Sequence, residues 1–211
     1  MNKIIIAITG PSGVGKNTLC DKLVEKDGFV VPKHTTTRNP RCDDAVGFYR
    51  YLNHDEFKNN VILNKFLYWS GDSSIIDKKY GNYYGMLKSD YYAVSQNDGI
   101  IIFISYKDID SILYLQTIGY NIEVVNLLYY DIDKSMIIRL SETSRNHSEE
   151  DIKRRIECAK SYEELFRKKL DAYNVLKIYT DLCDEEETYK IVKKRKIKWG
   201  KNNGVLEFIW L

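Results

Sequence analysis

The feature that most constrains this chain is a glycine-rich turn, Gly10-Pro11-Ser12-Gly13-Val14-Gly15-Lys16-Asn17-Thr18. It stands directly after the apolar run Ile4–Ile8 and directly before a helical pattern. Glycines let successive backbone N–H groups turn inward around an anion, and the start of the next helix adds a favourable dipole. A lysine closing such a turn reaches the outer phosphates as a mobile point charge. The G-x-x-x-x-G-K spacing is that of a Walker A loop. Gly10, Ser12, Gly13, Val14, Gly15, Lys16, Asn17 and Thr18 are therefore the expected ATP-binding residues. The residue after the lysine is Asn17 instead of the usual hydroxyl. An amide oxygen is the weaker magnesium ligand, so Thr18 is the expected Mg2+ contact, with Asn17 as the alternative.

Four short runs read as strands covered on both faces: Ile4–Ile8, Ile100–Ile104, Val124–Tyr129 and Val175–Tyr179. They are β-branched or aromatic and apolar throughout, without alternation. Helical patterns separate them. Leu19, Cys20, Leu23 and Val24 share one helical face after the first run. Ser148-Glu149-Glu150-Asp151 has the form of a capping box, continued by Ile152, Ile156, Ala159 and Phe166 at helical spacing. This alternation predicts an α/β fold with a doubly wound parallel sheet.

A chain of 211 residues accommodates one such core with appended segments. Its net charge of +2 implies no polyanion partner by charge alone, so no nucleic-acid role is expected, and anions must be held by local clusters of Arg and Lys. No run approaches the roughly 20 apolar residues that span a bilayer, and the first apolar run is too short for a signal-peptide core. The four cysteines, Cys20, Cys42, Cys158 and Cys183, form no Cys-x-x-Cys pair and read as reduced thiols of a cytoplasmic protein.

The stretch from Pro32 to Ser95 breaks the rhythm. It is polar, rich in Tyr and Arg, and without a long helix, which marks an insertion carrying a second binding surface. Within it, His34-Thr35-Thr36-Thr37-Arg38-Asn39-Pro40-Arg41 sets two arginines three residues apart beside a proline. Such a pair converges on one phosphate through charge-assisted bonds. Gly47-Phe48-Tyr49-Arg50-Tyr51 reads as a tyrosine-rich hairpin, followed by Asp55-Glu56-Phe57 and later by Gly81-Asn82-Tyr83-Tyr84-Gly85.

With these segments in order, the chain resembles the guanylate kinase family from Ile4 to about residue 190. The matching elements are G-P-S-G-V-G-K, T-T-R-x-P-R, D-E-F, the F-x-x-W of Phe66 to Trp69, and G-N-Y-Y-G. The resemblance implies an ATP:nucleoside monophosphate phosphotransferase of P-loop NTPase fold with an inserted NMP-binding domain and a lid. It divides the chain into a core (1–32, 96–135, 151–197), an acceptor-binding insertion (33–95), a lid (136–150) and a C-terminal extension (198–211). Arg38, Arg41, Tyr49 and Tyr84 match the family's acceptor-phosphate ligands. Arg139 and Arg145 match its mobile lid arginines, and Arg155 the arginine of the following helix. With Lys16 and Arg38 these three form the expected catalytic set, which stabilises charge on the transferring phosphoryl without covalent catalysis.

The departures lie at the acceptor. The family reads guanine with a glutamate before the tryptophan and a small hydroxyl after G-N-Y-Y-G, where this chain has Tyr68 and Met86. His34 replaces the early serine, and an extra stretch, Ser70 to Tyr80, lies beside the same pocket. His34, Tyr68 and Met86 are thus the expected base-side residues, with stacking on Tyr68 or Tyr83 as one way to hold a base. The family's D-I-D is Phe103-Ile104-Ser105 here, so its acidic pair is absent, with Asp108 and Asp110 just beyond. Three readings follow: a nucleoside monophosphate kinase acting on GMP, dGMP or a related monophosphate; a sugar-phosphate kinase of the ribose 1,5-bisphosphate kinase type; or a catalytically impaired guanylate kinase-like binding module. At the C-terminus, Lys193-Lys194-Arg195-Lys196 reads as the basic end of a final helix. The apolar Val205–Leu211 either folds back on the core or packs in a homodimer.

Overall fold

Strand β1 (Ile4–Thr9) is buried at every position, because a parallel strand lies on each side of it and helices cover both faces. In the computed structural model, which describes residues 3–40, 44, 46–70, 82–141, 148–170 and 175–201, β1 pairs in parallel with β6 (Gly99–Phe103) and β7 (Ile122–Leu128). β7 in turn pairs in parallel with β8 (Leu176–Tyr179). The sheet order is β6-β1-β7-β8, so all four expected strands lie in one parallel sheet with ends shifted by a residue or two.

The pleat sends alternate β1 side chains to two cores. Ile4, Ile6 and Ile8 pack with Leu19, Cys20 and Leu23 of α1 (Lys16–Asp27) and with Tyr189 and Val192 of α7 (Glu185–Lys201). Ile5 and Ala7 pack with Ile109, Ile112 and Leu115 of α4 (Ile109–Thr117). Val24, expected on the buried face of α1, is exposed instead, because α7 covers a narrower stripe than the periodicity suggests. α7 carries the basic run within its length and continues to Lys201, so the expected division at residues 197 and 198 falls inside a helix. Arg195 pairs with the buried Glu123 at 2.5 Å, and Lys193 with Asp27 at 3.0 Å.

A second sheet, in the order β3-β2-β5-β4, is built from β2 (His34–Thr36), β3 (Tyr49–Tyr51), β4 (Phe66–Ser70) and β5 (Tyr84–Leu87). The expected hairpin at Gly47–Tyr51 is corrected here. Tyr49–Tyr51 forms a strand that runs parallel to His34–Thr36, a geometry no tight turn can produce. The helices among these strands are short: α2 (His54–Ile62), closed by a capping box between Asn53 and Glu56, and α3 (Lys88–Val94). After β7 come α5 (Ile132–Ser141) and α6 (Glu149–Leu170), and Ser148 caps the latter by accepting the Asp151 N–H at 3.2 Å. Ala159 is buried and Ile152 and Ile156 half-buried, as the helical spacing predicts. The Phe166 side chain, residues 71–81 and Val205–Leu211 lie outside the described residues.

Candidate functional site

The turn between β1 and α1 is shaped by backbone that only glycine adopts comfortably. Gly10 has φ 142, and a Cβ there would overlap the Leu127 carbonyl oxygen of β7. Gly15 caps α1 at φ 94 with no side-chain bond to the helix amides, and the first turn of α1 holds no acidic residue. The N–H groups at this helix start are thus left for an exogenous anion. Val14 is fully buried and anchors the turn in the core. Lys16 Nζ donates to the carbonyls of Gly10 (2.9 Å) and Pro11 (2.7 Å). Burial pulls its ammonium down to about 8. Asn17 is exposed and Thr18 half-buried in the first turn of α1.

Two arginines from distant helices reach the same turn. Arg139 of α5 donates to Gly13 O at 3.2 Å and to Thr180 O at 3.0 Å, and its guanidinium lies over the Tyr129 ring at 5.6 Å. Arg155 of α6 donates to Ser12 Oγ at 2.9 Å, its other edge held by Asp151 at 2.7 Å. Lys16, Arg139 and Arg155 therefore meet at one loop, where three cations can face one polyphosphate. Arg145 lies outside the described residues.

Sequence reasoning missed what aims Arg139. Asp181, at the end of β8, accepts bonds from the N–H groups of Tyr130 (2.8 Å) and Asp131 (2.9 Å) and from Ser135 Oγ (2.8 Å). It thereby pins the start of α5. Burial alone would raise its carboxyl, but these bonds hold it below the usual carboxylate range. The available signal was an acidic residue two positions after the last strand.

The residues expected at the acceptor gather at one end of the second sheet. Thr36 of β2 is paired with both Tyr51 and Tyr84, which brings the ends of three strands together. Arg38 is 7% exposed and lies over the rings of Tyr49 (4.5 Å) and Tyr51 (5.8 Å). Its guanidinium forks onto Asp44, with one of the two bonds at 2.8 Å, and Tyr51 donates its hydroxyl to the same carboxylate. This ion pair raises the Arg38 pKa. Asp44 was not anticipated, because nothing in the sequence distinguishes it from other loop carboxylates. Arg41 lies outside the described residues.

Three expected base-side residues are enclosed. Tyr68 is 3% exposed, Met86 0% and His34 5%. Tyr68 and Met86 pack with Ile100, Ile102 and Tyr91 against the core sheet, so they do not form an accessible stacking surface. Tyr83 is likewise buried, stacked on Phe57 at 5.5 Å. The reason is tertiary. The second sheet seats on β6, and the β4 and β5 side chains that face it become core. Of the groups near the absent acidic pair, Asp108 turns inward to accept the N–H (2.7 Å) and hydroxyl (2.9 Å) of Ser105. Burial pushes its carboxyl up to about 7.

His34 carries a pH prediction. Nε2 accepts the Phe103 N–H at 3.0 Å while Nδ1 faces Pro32 O at 3.0 Å, and burial pushes the imidazole down to about 4. The unfolded chain binds this proton near pH 6.5, whereas the native state resists it until about 4. His34 thus contributes fully above pH 6.5, and its contribution falls as pH drops from 6.5 to 4, by roughly 3 kcal/mol in total. Urea unfolding of His34→Phe at several pH values is expected to lose this part of the acid-side slope.

The sequence profile described as "Guanylate kinase" matches residues 1–189. Among curated relatives, a guanylate kinase of Clostridium perfringens (strain SM101 / Type A) is 41% identical over 88 residues, covering 41% of this chain and 38% of that protein. The match therefore spans well under two thirds of that relative's length. A guanylate kinase of Campylobacter jejuni (strain RM1221) is 28% identical across 100% of this chain and 98% of its own. Among solved structures, that of guanylate kinase from Anaplasma phagocytophilum superposes with a TM-score of 0.65 at 15% identity, covering 95% of this chain and 87% of that one, which speaks to the fold.

Proposed function

The chain belongs to the guanylate kinase family, and on that premise we propose that it is an ATP-dependent nucleotide kinase that transfers a γ-phosphate to GMP, dGMP or a related nucleoside monophosphate. The observation that carries this reading is the meeting of Lys16, Arg139 and Arg155 on one phosphate loop. Arg38 with Tyr49 and Tyr84 supplies a second phosphate site on a separate sheet. The loop and α1 would hold the β- and γ-phosphates. Arg139 and Arg155 would face the charge that develops on the transferring group. An acceptor phosphate oxygen is already anionic, so no general base is required. The division into core, acceptor insertion and mobile lid is part of the same proposal, as is a cytoplasmic location. Among the described residues no helix is long and apolar enough to cross a membrane.

Magnesium fits this site in one way. Among the described residues no group of three or more His, Cys, Asp or Glu could form a protein cage. Mg2+ is commonly held by substrate phosphates, waters and one or two protein oxygens, and the Thr18 hydroxyl, with the Asn17 amide as the alternative, is such an oxygen. Bound there, the ion would neutralise charge between the β- and γ-phosphates. The test is an ATP-consumption assay with Mg2+ over ribo- and deoxyribonucleoside monophosphates, GMP and dGMP included. Turnover with at least one is the expected result. ATP binding without turnover of any would sink the kinase reading and favour a binding module. The enclosure of Tyr68 and Met86 favours a second reading, a sugar-phosphate acceptor, which ribose 1,5-bisphosphate in the same panel tests.

A further inference from the structure

Two stripes run along α5 at helical spacing. Ile132 and Met136 join the core that α1 and α7 cover. Ser135 and Arg139, also one turn apart, meet the residues just past the end of β8. There Ser135 Oγ donates to Asp181 Oδ2 at 2.8 Å, and Arg139 Nη2 donates to the Thr180 carbonyl at 3.0 Å. The same carboxylate accepts the Tyr130 N–H on Oδ1 and the Asp131 N–H on Oδ2. One side chain thus receives three donors from the junction of β7 and α5. Thr180 is itself fixed, its N–H donating to Leu128 O at 2.9 Å. The other edge of the Arg139 guanidinium reaches Gly13 O at 3.2 Å. A continuous set of bonds therefore runs from the end of β8, through the first turns of α5, to the glycine-rich turn. Tyr130 and Asp131 are exposed, so water can satisfy their N–H groups if the carboxylate is lost. Water does not fix a direction. What Asp181 supplies is orientation more than stability.

We propose that Asp181 is a positioning residue: it holds α5 so that Arg139 stands over the phosphate loop, and it acts on nucleotide binding and transfer only through Arg139. This deepens the kinase reading and rests on it for the charge that Arg139 faces. A guanidinium carried on a helix points where the base of the helix points, and a displacement of about 1 Å at a positioned group can cost about 100-fold in rate. Asparagine is a poor substitute for Asp181. Its amide offers one acceptor oxygen where the carboxylate uses two, and its NH2 would face a backbone N–H.

The test is a double-mutant cycle on the full chain with Asp181→Ala, Arg139→Met and both together. It is read by calorimetric titration with ATP and Mg2+, and by kcat with the preferred nucleoside monophosphate. Asp181→Ala should weaken ATP binding by about threefold or more alone, and by less than about twofold in the Arg139→Met background, because residues that act as one unit are not additive. The kcat values should follow the same pattern, with a fall of about tenfold or more for Asp181→Ala alone. Asp181→Asn should lie between wild type and Asp181→Ala. If Asp181→Ala does not fold, Ser135→Ala removes one of the three bonds, enters the same cycle and should lose less in the same direction. Equal losses with and without Arg139 would show a merely structural role and overturn the inference. Unchanged ATP affinity in Asp181→Ala, or no ATP binding by the wild type, would overturn it too. Wild-type turnover reads the kinase proposal separately. Coupled ATP binding without transfer to any monophosphate sinks that proposal and keeps this one, whereas transfer with additive losses does the reverse.

Discussion

Lys16→Met is expected to lower kcat by about 100- to 1,000-fold while leaving the fold in place, since removing one preorganised donor to transition-state charge commonly costs that much. The methionine keeps the length and apolar stem of the lysine. The carbonyls of Gly10 and Pro11 lose the ammonium that they now receive, but the positive-φ glycines and the buried Val14 that shape the turn are untouched. Circular dichroism and Tm should therefore change little, and steady-state kinetics should change greatly. A pH profile sharpens the point. Burial draws the Lys16 ammonium down to about 8, so kcat/KM for ATP in the wild type should fall as pH rises through that value and the charge is lost. A profile flat to pH 9.5, or a variant with wild-type kcat, would remove Lys16 from the transition state.

Arg38→Met has the largest expected effect on stability. Arg38 is buried and Asp44 half-buried, with side chains 6% and 13% exposed, and the arginine neutralises the carboxylate. Breaking a buried pair from one side costs roughly 3–5 kcal/mol, which for a chain of this size is a fall of roughly 10 °C in Tm. The double variant Arg38→Met/Asp44→Leu should recover most of that loss, because apolar groups of similar volume replace a buried pair at little cost. Its KM for the acceptor should nevertheless stay raised by tenfold or more, as the phosphate partner is still missing. Recovery of both stability and acceptor KM in the double variant would show that Arg38 is structural only. The clasp also has a kinetic side. Under the proposed function, an incoming acceptor phosphate would have to share or displace the Asp44 carboxylate that now holds Arg38.

The phosphate loop was legible because its signal is local. Gly10, Gly15 and Lys16 do their work within one turn, and the run of apolar β-branched residues before them states that both faces of β1 are covered. The same holds for the other three strands of the core sheet. The Tyr49–Tyr51 segment was misread for the opposite reason. Its parallel partner is His34–Thr36, and a parallel pairing is decided by where the intervening chain returns, which no short window of residues records. Tyr68 and Met86 were placed at the acceptor by position. Whether such side chains face a ligand or a core depends on what their sheet packs against.

The sequence by itself determined a P-loop core, its strand–helix alternation, and the cations available to it, since periodicity and glycine chemistry act over a few residues. The tertiary structure alone decided which of those cations meet. Arg139 and Arg155 reach the loop from 126 and 143 residues away. It alone closed Arg38 onto Asp44 and tied His34 and Tyr68 to the backbone of Phe103, because hydrogen bonds and ion pairs between distant segments form only once packing has brought those segments together.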